Sequence, residues 1–310
     1  MKKIFYFLSA LALFACEKAE DFGQPVQGGV SSGADLPEVI YATVDDDSDN
    51  DTTMTRTYAN GQSILWNSGD AISLFTSINH MVKYQYDGED GATTAEFSKV
   101  DRVPSKVDFE VSRSYAVYPY GLAGSCVKDN GVEKLKVFFS AEQTYAPNSF
   151  GKGDNVMVAV GEHTTDNNFY FRNACGYLVI KLYGEAGTKV EKIELTALGG
   201  EKIAGNGIVE PHYDAAPEVT MTDEGTSTIV LNCGDGVELG TTAQQATEFW
   251  FAMPPVTLEK GLKILVTPTE GGAFTVQTSN KVSITRTDIQ PMAALKLTAN
   301  TQSDHQLFYT

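Results

Sequence analysis

The stretch YLVIKLYGEAGTKVEKIELTAL, residues 177–198, contains two runs rich in apolar residues, joined by a short polar segment. The first run is almost entirely apolar, and in the second apolar and polar residues largely alternate, as in K-V-E-K-I-E-L. Alternation of this kind places one face of a strand on a core and the other face in water. The stretch therefore predicts two β-strands.

The same pattern extends along nearly the whole chain. Short runs rich in Val, Ile, Tyr, Phe and Thr are separated by Gly, Asn, Asp and Pro, and no run predicts a helix longer than a turn or two. Short strands separated by turn-forming residues in this way are typical of β-sandwiches. The sequence thus predicts an all-β fold. Other clear candidates are EVIYATV (38–44), SILW (63–66), AISLFTS (71–77), SYAVYPY (114–120), FYFRNA (169–174), EFWFAMPP (248–255) and LKILVTPT (262–269).

The polar stretch Glu162–Asn168 is the best candidate for a domain boundary. It predicts one β-sandwich over residues 38–165 and a second over residues 166–297. Residues 298–310 then form a short polar tail with an apolar end at Leu307, Phe308 and Tyr309.

The N-terminus has the features of a secretory signal peptide over residues 1–15. Lys2 and Lys3 precede an apolar run, residues 4–15, which as a helix would span roughly 18 Å, well short of the ~30 Å bilayer core. The junction Leu13-Phe14-Ala15-Cys16 resembles the lipobox of bacterial lipoproteins. That resemblance implies that Cys16 is acylated and becomes the mature N-terminus, held in the outer membrane by lipid. An ordinary signal peptide followed by an incidental cysteine is the alternative.

Composition limits what the mature chain can bind. Residues 16–37 are rich in Gly, Ser, Pro and acidic residues, which predicts a flexible tether. The formal net charge is −17, and it becomes −19 once residues 1–15, which contain two lysines and no acid, are removed. A chain this acidic repels nucleic acid and anionic lipid head groups, so nucleic acid is not an expected partner.

The remaining cysteines give no sign of a metal site. Cys126, Cys175 and Cys233 are far apart in the sequence and lack CxxC spacing, so no zinc site is predicted. Their odd number favours buried, unpaired thiols, with one disulfide as the alternative.

Several enzyme signatures are missing from the sequence. The four histidines form neither HxH nor HExxH, and there is no GxGxxG or Walker motif. A pair of glycosidase carboxylates stays open, because acidic residues are plentiful. The sequence nevertheless predicts a protein that is not an enzyme, with no catalytic residue and no cofactor.

The acidic run Asp45–Asp51 suggests calcium at first, because carboxylates at alternate positions can supply several oxygen ligands. Counted as an EF-hand loop from Asp47, however, it has Thr52 in place of the turn glycine and Tyr58 in place of the final glutamate. A hydrated loop without a metal is the better interpretation. Asp51-Thr52-Thr53 resembles the O-glycosylation motif of Bacteroidetes, which makes Thr52 a candidate site.

The segment ILWNSGDAISLF, residues 64–75, brings Trp66 and Asp70 close together. Asn67-Ser68-Gly69-Asp70 is a turn-forming tetrad between two predicted strands. We expect Trp66 to fill the core and Asp70 to accept hydrogen bonds from the turn backbone, so the pair is structural rather than catalytic.

Several segments together resemble the fimbrillin-like surface lipoproteins of Bacteroidetes, the subunits of type V pili. The resemblance runs in order through most of residues 38–297. The segments that carry it are TRTYANGQSILWNSGDAISLF (55–75), EQTYAPNSFGKGDNVMVAVG (142–161), FRNACGYLVIKLYG (171–184), FWFAMPPVTLEKGLKILV (249–266) and IQPMAALKL (289–297).

The resemblance implies two tandem transthyretin-like Greek-key β-sandwiches in a fimbrial or adhesive protein. It also implies a protease cut after Arg56, loss of the first strand, and insertion of a strand from a neighbouring fimbrial subunit. The short tail leaves the shaft, tip and anchor positions all open. Host or bacterial surface receptors, or glycans, are the implied external partners.

A second function from another class is a glycan-binding surface lipoprotein of a carbohydrate-uptake system. Exposed tyrosine and tryptophan rings can stack on sugars, and the chain has fourteen tyrosines. Most of the aromatic residues lie at alternating strand positions, where a core would need them.

Overall fold

The structure, a computed structural model, describes residues 34–45, 65–76, 80–101, 106–107, 110–297 and 302–304. Within them the regular secondary structure consists of strands and two 3₁₀ helices, Tyr120–Leu122 and Ala243–Gln245, which confirms the predicted all-β fold. The strands are β1 (Ala34–Asp35), β2 (Val39–Val44), β3 (Ala71–Phe75), β4 (Met81–Gln85), β5 (Thr94–Lys99), β6 (Lys106–Val107), β7 (Tyr115–Tyr118), β8 (Ala123–Asp129), β9 (Val132–Phe139), β10 (Glu142–Thr144), β11 (Met157–Val160), β12 (Asn168–Asn173), β13 (Gly176–Tyr183), β14 (Lys189–Ala197), β15 (Gly205–Glu210), β16 (Glu218–Met221), β17 (Thr228–Glu238), β18 (Thr247–Met253), β19 (Val256–Leu258), β20 (Leu262–Pro268), β21 (Phe274–Thr278), β22 (Val282–Ile284), β23 (Ile289–Pro291), β24 (Leu295–Lys296) and β25 (Gln302–Asp304).

Burial along the strands follows the alternation in the sequence. β9 buries Leu135, Val137 and Phe139, while the residues between them are exposed. In β14 a bulge between Val190 and Lys192 shifts the register, so that Val190 and Ile193 both face the core although three positions separate them. The bulge explains the one irregularity in the K-V-E-K-I-E-L pattern.

Within the described residues, seven strands close into a barrel in the order β11-β12-β2-β5-β4-β3-β7. Neighbouring strands around this ring are antiparallel except β12 and β2, which run parallel. The core inside the barrel consists of Leu36, Ile40, Ala42, Trp66, Ile72, Leu74, Val82, Tyr84, Tyr86, Ala95, Phe97, Ala116, Tyr118, Met157, Ala159, Phe169 and Phe171.

The antiparallel pair β13 and β18 serves two further cores, one on each face. Tyr177 of β13 and Trp250 of β18 lie in a core shared with the outer side of β7 and β11 and with β9. Leu178 and Phe249, one position along each strand, face the opposite way. Both faces are therefore apolar, and this explains why YLVIKLYG is almost continuously hydrophobic.

The second face of β13 and β18 packs on a larger sheet in the order β10-β17-β14-β20-β21-β25. β23 and β24 run parallel to β13 and extend the smaller sheet. The two sheets bury Ile193, Leu195, Leu231 and Ile264 between them, among other side chains. This arrangement is a β-sandwich.

Two sets of contacts connect the halves of the chain. β12, which follows the polar stretch at 162–168, pairs with β2 in the barrel. β15 and β16 extend the sheet that begins with β8 and β9, giving the order β16-β15-β9-β8. The division into domains at 38–165 and 166–297 stays a prediction.

The side chain of Gln143 acts as a hydrogen-bonding partner for the edge of β18. Its Nε2 donates to the carbonyl oxygen of Ala252 at 2.5 Å, and its Oε1 accepts from the Ala252 N–H at 3.1 Å. Gln143 is fully buried, so these two bonds satisfy backbone groups that no water reaches.

We therefore expect Gln143→Ala to lower the free energy of unfolding by about 3 kcal/mol, because it leaves a buried N–H and a buried C=O without partners. Urea denaturation measures the loss. Gln244→Ala, at an exposed position, is the matched control and should change stability little. Equal losses in the two variants would contradict this role of Gln143.

Candidate functional site

β2 occupies a gap between two other strands of the barrel. It pairs with β5 from Val39 opposite Ser98 to Thr43 opposite Thr94, and with β12 from Tyr41 opposite Asn168 to Val44 opposite Phe171. Both edges of β2 are thus hydrogen-bonded. A strand lost from this position would leave unpaired backbone groups on β5 and β12.

The inward side chains of β2 belong to the barrel core. Ile40 and Ala42 are fully buried in the cluster that contains Phe97, Phe169 and Phe171. Loss of β2 would therefore open an apolar groove as well as two strand edges. These are the requirements for a site that accepts an added strand.

The described part of the chain after β2 ends at Asp45. Its carboxylate accepts a hydrogen bond from Arg172 Nε at 3.0 Å, so the end of β2 is joined to β12 by an ion pair as well. The next described residue is Leu65. The candidate cleavage site Arg56, the candidate glycosylation site Thr52 and the lipidation site Cys16 all lie outside the described residues, and they stay predictions.

The turn at 66–70 has the predicted structural role. The N–H of Asn67 donates to Asp70 Oδ2 at 2.8 Å, and Gly69 has a φ of 80°, which glycine adopts without strain. Trp66 is fully buried, with its ring edge-on to Phe97, Tyr118 and Phe171 at centroid distances of 5.1 to 5.3 Å. The run predicted as a strand at 63–66 has a single described bridge, Trp66 with Ala92.

A cleft of about 160 Å³ opens beside this turn, and we call it the Trp66 cleft. The loop 146–155 forms its opposite wall. Lys152 joins the two walls, because its Nζ donates to the Ser68 carbonyl oxygen at 2.6 Å and lies 3.5 Å from Asp70 Oδ1. The lining residues are Leu65, Trp66, Asn67, Tyr118, Ala146, Ser149, Phe150, Lys152, Gly153 and Asn155.

Two buried donors among these lining residues have no partner in the described part of the chain. They are the indole Nε1 of Trp66 and the amide Nδ2 of Asn155. The Oδ1 of Asn155 accepts from the Tyr177 hydroxyl at 3.0 Å, so the orientation of the amide is fixed. Buried donors in native proteins nearly always have a partner, which makes this pair a feature that needs an explanation.

Two buried carboxyl groups lie next to the cleft. Burial raises the pKa of Asp70, although the Asn67 N–H and Lys152 oppose the rise. Burial also raises the pKa of Asp154 to about 7, because its one backbone hydrogen bond, from the Thr144 N–H at 3.1 Å, offsets little of the desolvation. Sequence reasoning identified Asp70 but not Asp154 or Asn155, which carry no signal beyond a polar GKGDN loop.

The described residues include the three cysteines that follow the tether. Cys126, Cys175 and Cys233 are buried and unpaired, as predicted, and burial raises the pKa of each thiol. Within the described ranges, no cluster of His, Cys, Asp and Glu has the geometry to hold a metal ion. No helix in this part of the chain is long and apolar enough to span a bilayer.

The described piece of the C-terminal tail forms a strand. β25 runs parallel to β21, with Gln302 opposite Thr275 and Asp304 opposite Gln277. It adds to the edge of the larger sheet of the sandwich. The apolar end at 307–309 lies outside the described residues.

Comparison with known proteins finds several solved structures that match this chain. A candidate cell-adhesion protein from Bacteroides ovatus matches with a TM-score of 0.46 and 11% identity, over 85% of this chain and 92% of that chain. A candidate cell-adhesion protein from Bacteroides uniformis matches with a TM-score of 0.43 and 17% identity, over 83% and 92%. The tip fimbrial protein Mfa3 from Porphyromonas gingivalis, C-terminally truncated, matches with a TM-score of 0.30 and 10% identity, over 84% and 96%.

No family model matches the chain, and no curated protein matches it. The structural neighbours named above are candidate cell-adhesion and fimbrial proteins.

The raised pKa of Asp154 predicts a specific pH dependence of stability. The folded protein binds the proton more tightly than the unfolded chain, where the ordinary pKa is 3.8. The stabilisation that the bound proton gives the folded protein is complete below about pH 4 and is lost as the pH rises through about 7. Asp154→Asn removes the charge and keeps an acceptor for the Thr144 N–H. We expect the free energy of unfolding of the variant to exceed that of the parent protein by at most about 4 kcal/mol above about pH 8, and by little below about pH 4.

Thermal or urea unfolding across this pH range measures the effect. Asp214→Asn, at an exposed position, is the matched control and should follow the parent protein at every pH. A gain from Asp154→Asn that does not vary with pH would contradict the buried, protonated state of Asp154.

Proposed function

We propose that this chain is a lipid-anchored cell-surface subunit of a fimbria that assembles by strand exchange. Cys16 carries the lipid that holds the precursor in the outer membrane. Cleavage after Arg56 releases β2, and a strand from a neighbouring fimbrial subunit takes its place. Shaft, tip and anchor subunits all fit this role.

The position of β2 is the observation that carries the proposal. This strand is paired on both edges, supplies Ile40 and Ala42 to the barrel core, and is followed by the segment that contains Arg56. A cut in that segment separates β2 from the rest of the barrel. The gap left behind combines unpaired backbone with an apolar floor, so a strand of matching pattern would be bound strongly.

The sequence around Arg56 supports the same proposal. The acidic composition of residues 45–51 favours hydration of the segment that precedes Arg56, as expected of a cleavage site. The fimbrillin-like resemblance of residues 55–75 implies cleavage at this place. Thr52 in the same loop is proposed as an O-glycosylation site.

Maturation in cells tests the cleavage. Released material from cells that make the parent protein should give a ladder on a denaturing gel after gentle heating, which collapses on boiling to one band beginning at Thr57. Arg56→Ala should abolish the ladder and leave a chain that begins at the blocked Cys16. Thr57→Ala, which leaves the arginine in place, is the control. A ladder that persists in Arg56→Ala would overturn cleavage at this site.

A peptide tests the groove directly. A chain that begins at Thr57 should be stabilised by the peptide EVIYATV, residues 38–44, by about 2.7 kcal/mol at a concentration one hundred times its Kd. The matched control is the same peptide with Ile40→Asp, which places a charge in the barrel core. Thermal unfolding measures both. Equal stabilisation by the two peptides, or none by either, would count against strand exchange at this position.

A further inference from the structure

The two ends of β2 each adjoin a carboxylate that binds a cation on a neighbouring strand. Glu38, directly before β2, accepts a hydrogen bond from Lys99 Nζ on β5 at 2.5 Å. Asp45, directly after β2, accepts one from Arg172 Nε on β12 at 3.0 Å. We propose that these two cations select the replacement strand, so that the neighbouring subunit supplies a strand with an acidic residue at each end, seven positions apart. This inference rests on the strand exchange proposed above and specifies the chemistry of its partner.

Backbone hydrogen bonds determine where the two carboxylates lie. The Lys99 N–H donates to the carbonyl oxygen of Glu38 at 2.9 Å, and the Asp45 N–H donates to the carbonyl oxygen of Phe171 at 2.8 Å. Both bonds join main chains, so any strand seated in the register of β2 can form them. The first and last residues of such a strand would therefore place their side chains beside the same two cations.

Both cations are largely shielded from solvent when the strand is in place. The side chain of Lys99 is 8% exposed and that of Arg172 is 17% exposed. Arg172 Nη1 also donates to three backbone carbonyl oxygens, the nearest being that of Ala215 at 2.6 Å, and these contacts do not involve β2. Loss of the carboxylate from a shielded ion pair is more costly than loss from an exposed one. A replacement strand with a neutral residue at either end would meet that cost, whereas an acidic residue restores the pair.

The neighbours of β2 also restrict where acidic residues are tolerated. Ile40 and Ala42 face the apolar core of the barrel, where a charge is excluded. Tyr41 faces outward and lies opposite Glu96 on β5, so a carboxylate at this position would meet another carboxylate. The pattern required of the partner strand is therefore acidic at its first and eighth positions and apolar at its third and fifth.

The net charge of the chain makes this preference diagnostic. The formal net charge is −17, so the molecule as a whole repels an acidic peptide. A gain in affinity from added carboxylates would thus report the two local cations rather than a general attraction.

Displacement of β2 from cut protein tests the inference. A recognition sequence for a site-specific protease is inserted after Arg56 in the full chain and cut in vitro, so that every residue is present but β2 is no longer covalently linked to the rest of the barrel. Acetylated and amidated peptides then compete with β2, and size-exclusion chromatography gives the concentration that displaces half of the N-terminal fragment. The peptide EVIYATVD, residues 38–45, is compared with QVIYATVN, in which Glu38→Gln and Asp45→Asn remove both charges. We expect about tenfold more of the neutral peptide to be needed, because each pair contributes roughly threefold.

A second pair of peptides tests the position of the charges. The peptide QVIEAEVN has the same net charge as EVIYATVD, but it carries its two carboxylates at positions 41 and 43. Its neutral isostere is QVIQAQVN. We expect QVIEAEVN to compete no better than QVIQAQVN, since no cation is paired with β2 at these positions in the described part of the chain.

Variants of the protein assign the effect to one cation. Lys99→Met should remove the gain that Glu38 gives a peptide and keep the gain that Asp45 gives, as measured with EVIYATVN and QVIYATVD. Lys281→Met, at a lysine that pairs with Glu259 in another part of the chain, is the matched control and should behave like the parent protein.

The outcomes separate this inference from the proposed function. Displacement by EVIYATVD and QVIYATVN at equal concentrations would overturn selection by charge and leave strand exchange intact. An equal gain from charges at positions 41 and 43 would overturn it as well, because the two cations would then not be its source. Displacement by none of the peptides would count against strand exchange in this gap, and the inference would fail with it. Because the cut is made at an inserted site, none of these results bears on cleavage in cells.

Discussion

The barrel depends on the two-sided pairing of one short strand. β2 is antiparallel to β5 and parallel to β12, and the parallel pair is the contact that closes the ring. These three strands come from residues 39–44, 94–99 and 168–173, so closure joins segments that are far apart in the sequence. The same strand supplies Ile40 and Ala42 to the core. Hydrogen bonding and apolar burial at this place therefore depend on the same strand, so its removal would open both the ring of strands and the core.

The rest of the molecule is organised around β13 and β18, most of whose residues are buried on both faces. Alternate residues of each strand enter two different cores, so that Tyr177 and Trp250 pack on one side while Leu178 and Phe249 pack on the other. Where a strand is buried on both faces, every position requires an apolar residue, and a polar substitution on either face would disturb a core. One core adjoins the barrel and the other belongs to the sandwich. The continuous hydrophobic run at 177–180 is the part of the sequence that connects them.

The all-β fold and the structural role of Trp66 could be predicted from the sequence because each depends on local pattern. β15 could not be predicted, because Gly205 and Gly207 interrupt the alternation of apolar and polar residues. The glycine at 207 is explained by a residue that is distant in the sequence, since a Cβ there would lie 2.7 Å from the Phe139 ring. Strand partners such as β12 with β2 are likewise set by packing that no single segment encodes. The cleft was missed for the same reason. Asn155 lies in a polar loop of ordinary composition, and its unpartnered amide becomes evident only when the loop is placed opposite Trp66.

β2 and the Trp66 cleft are connected through the side chain of Trp66. The Trp66 ring is 5.1 Å from Phe97 on β5 and 5.3 Å from Phe171 on β12, the two strands that flank β2. If β2 left the barrel, Ile40 and Ala42 would no longer fill the core that contains these three rings. A replacement strand with the same inward side chains would refill that core, so the packing of the core around Trp66 depends on whichever strand occupies the gap between β5 and β12.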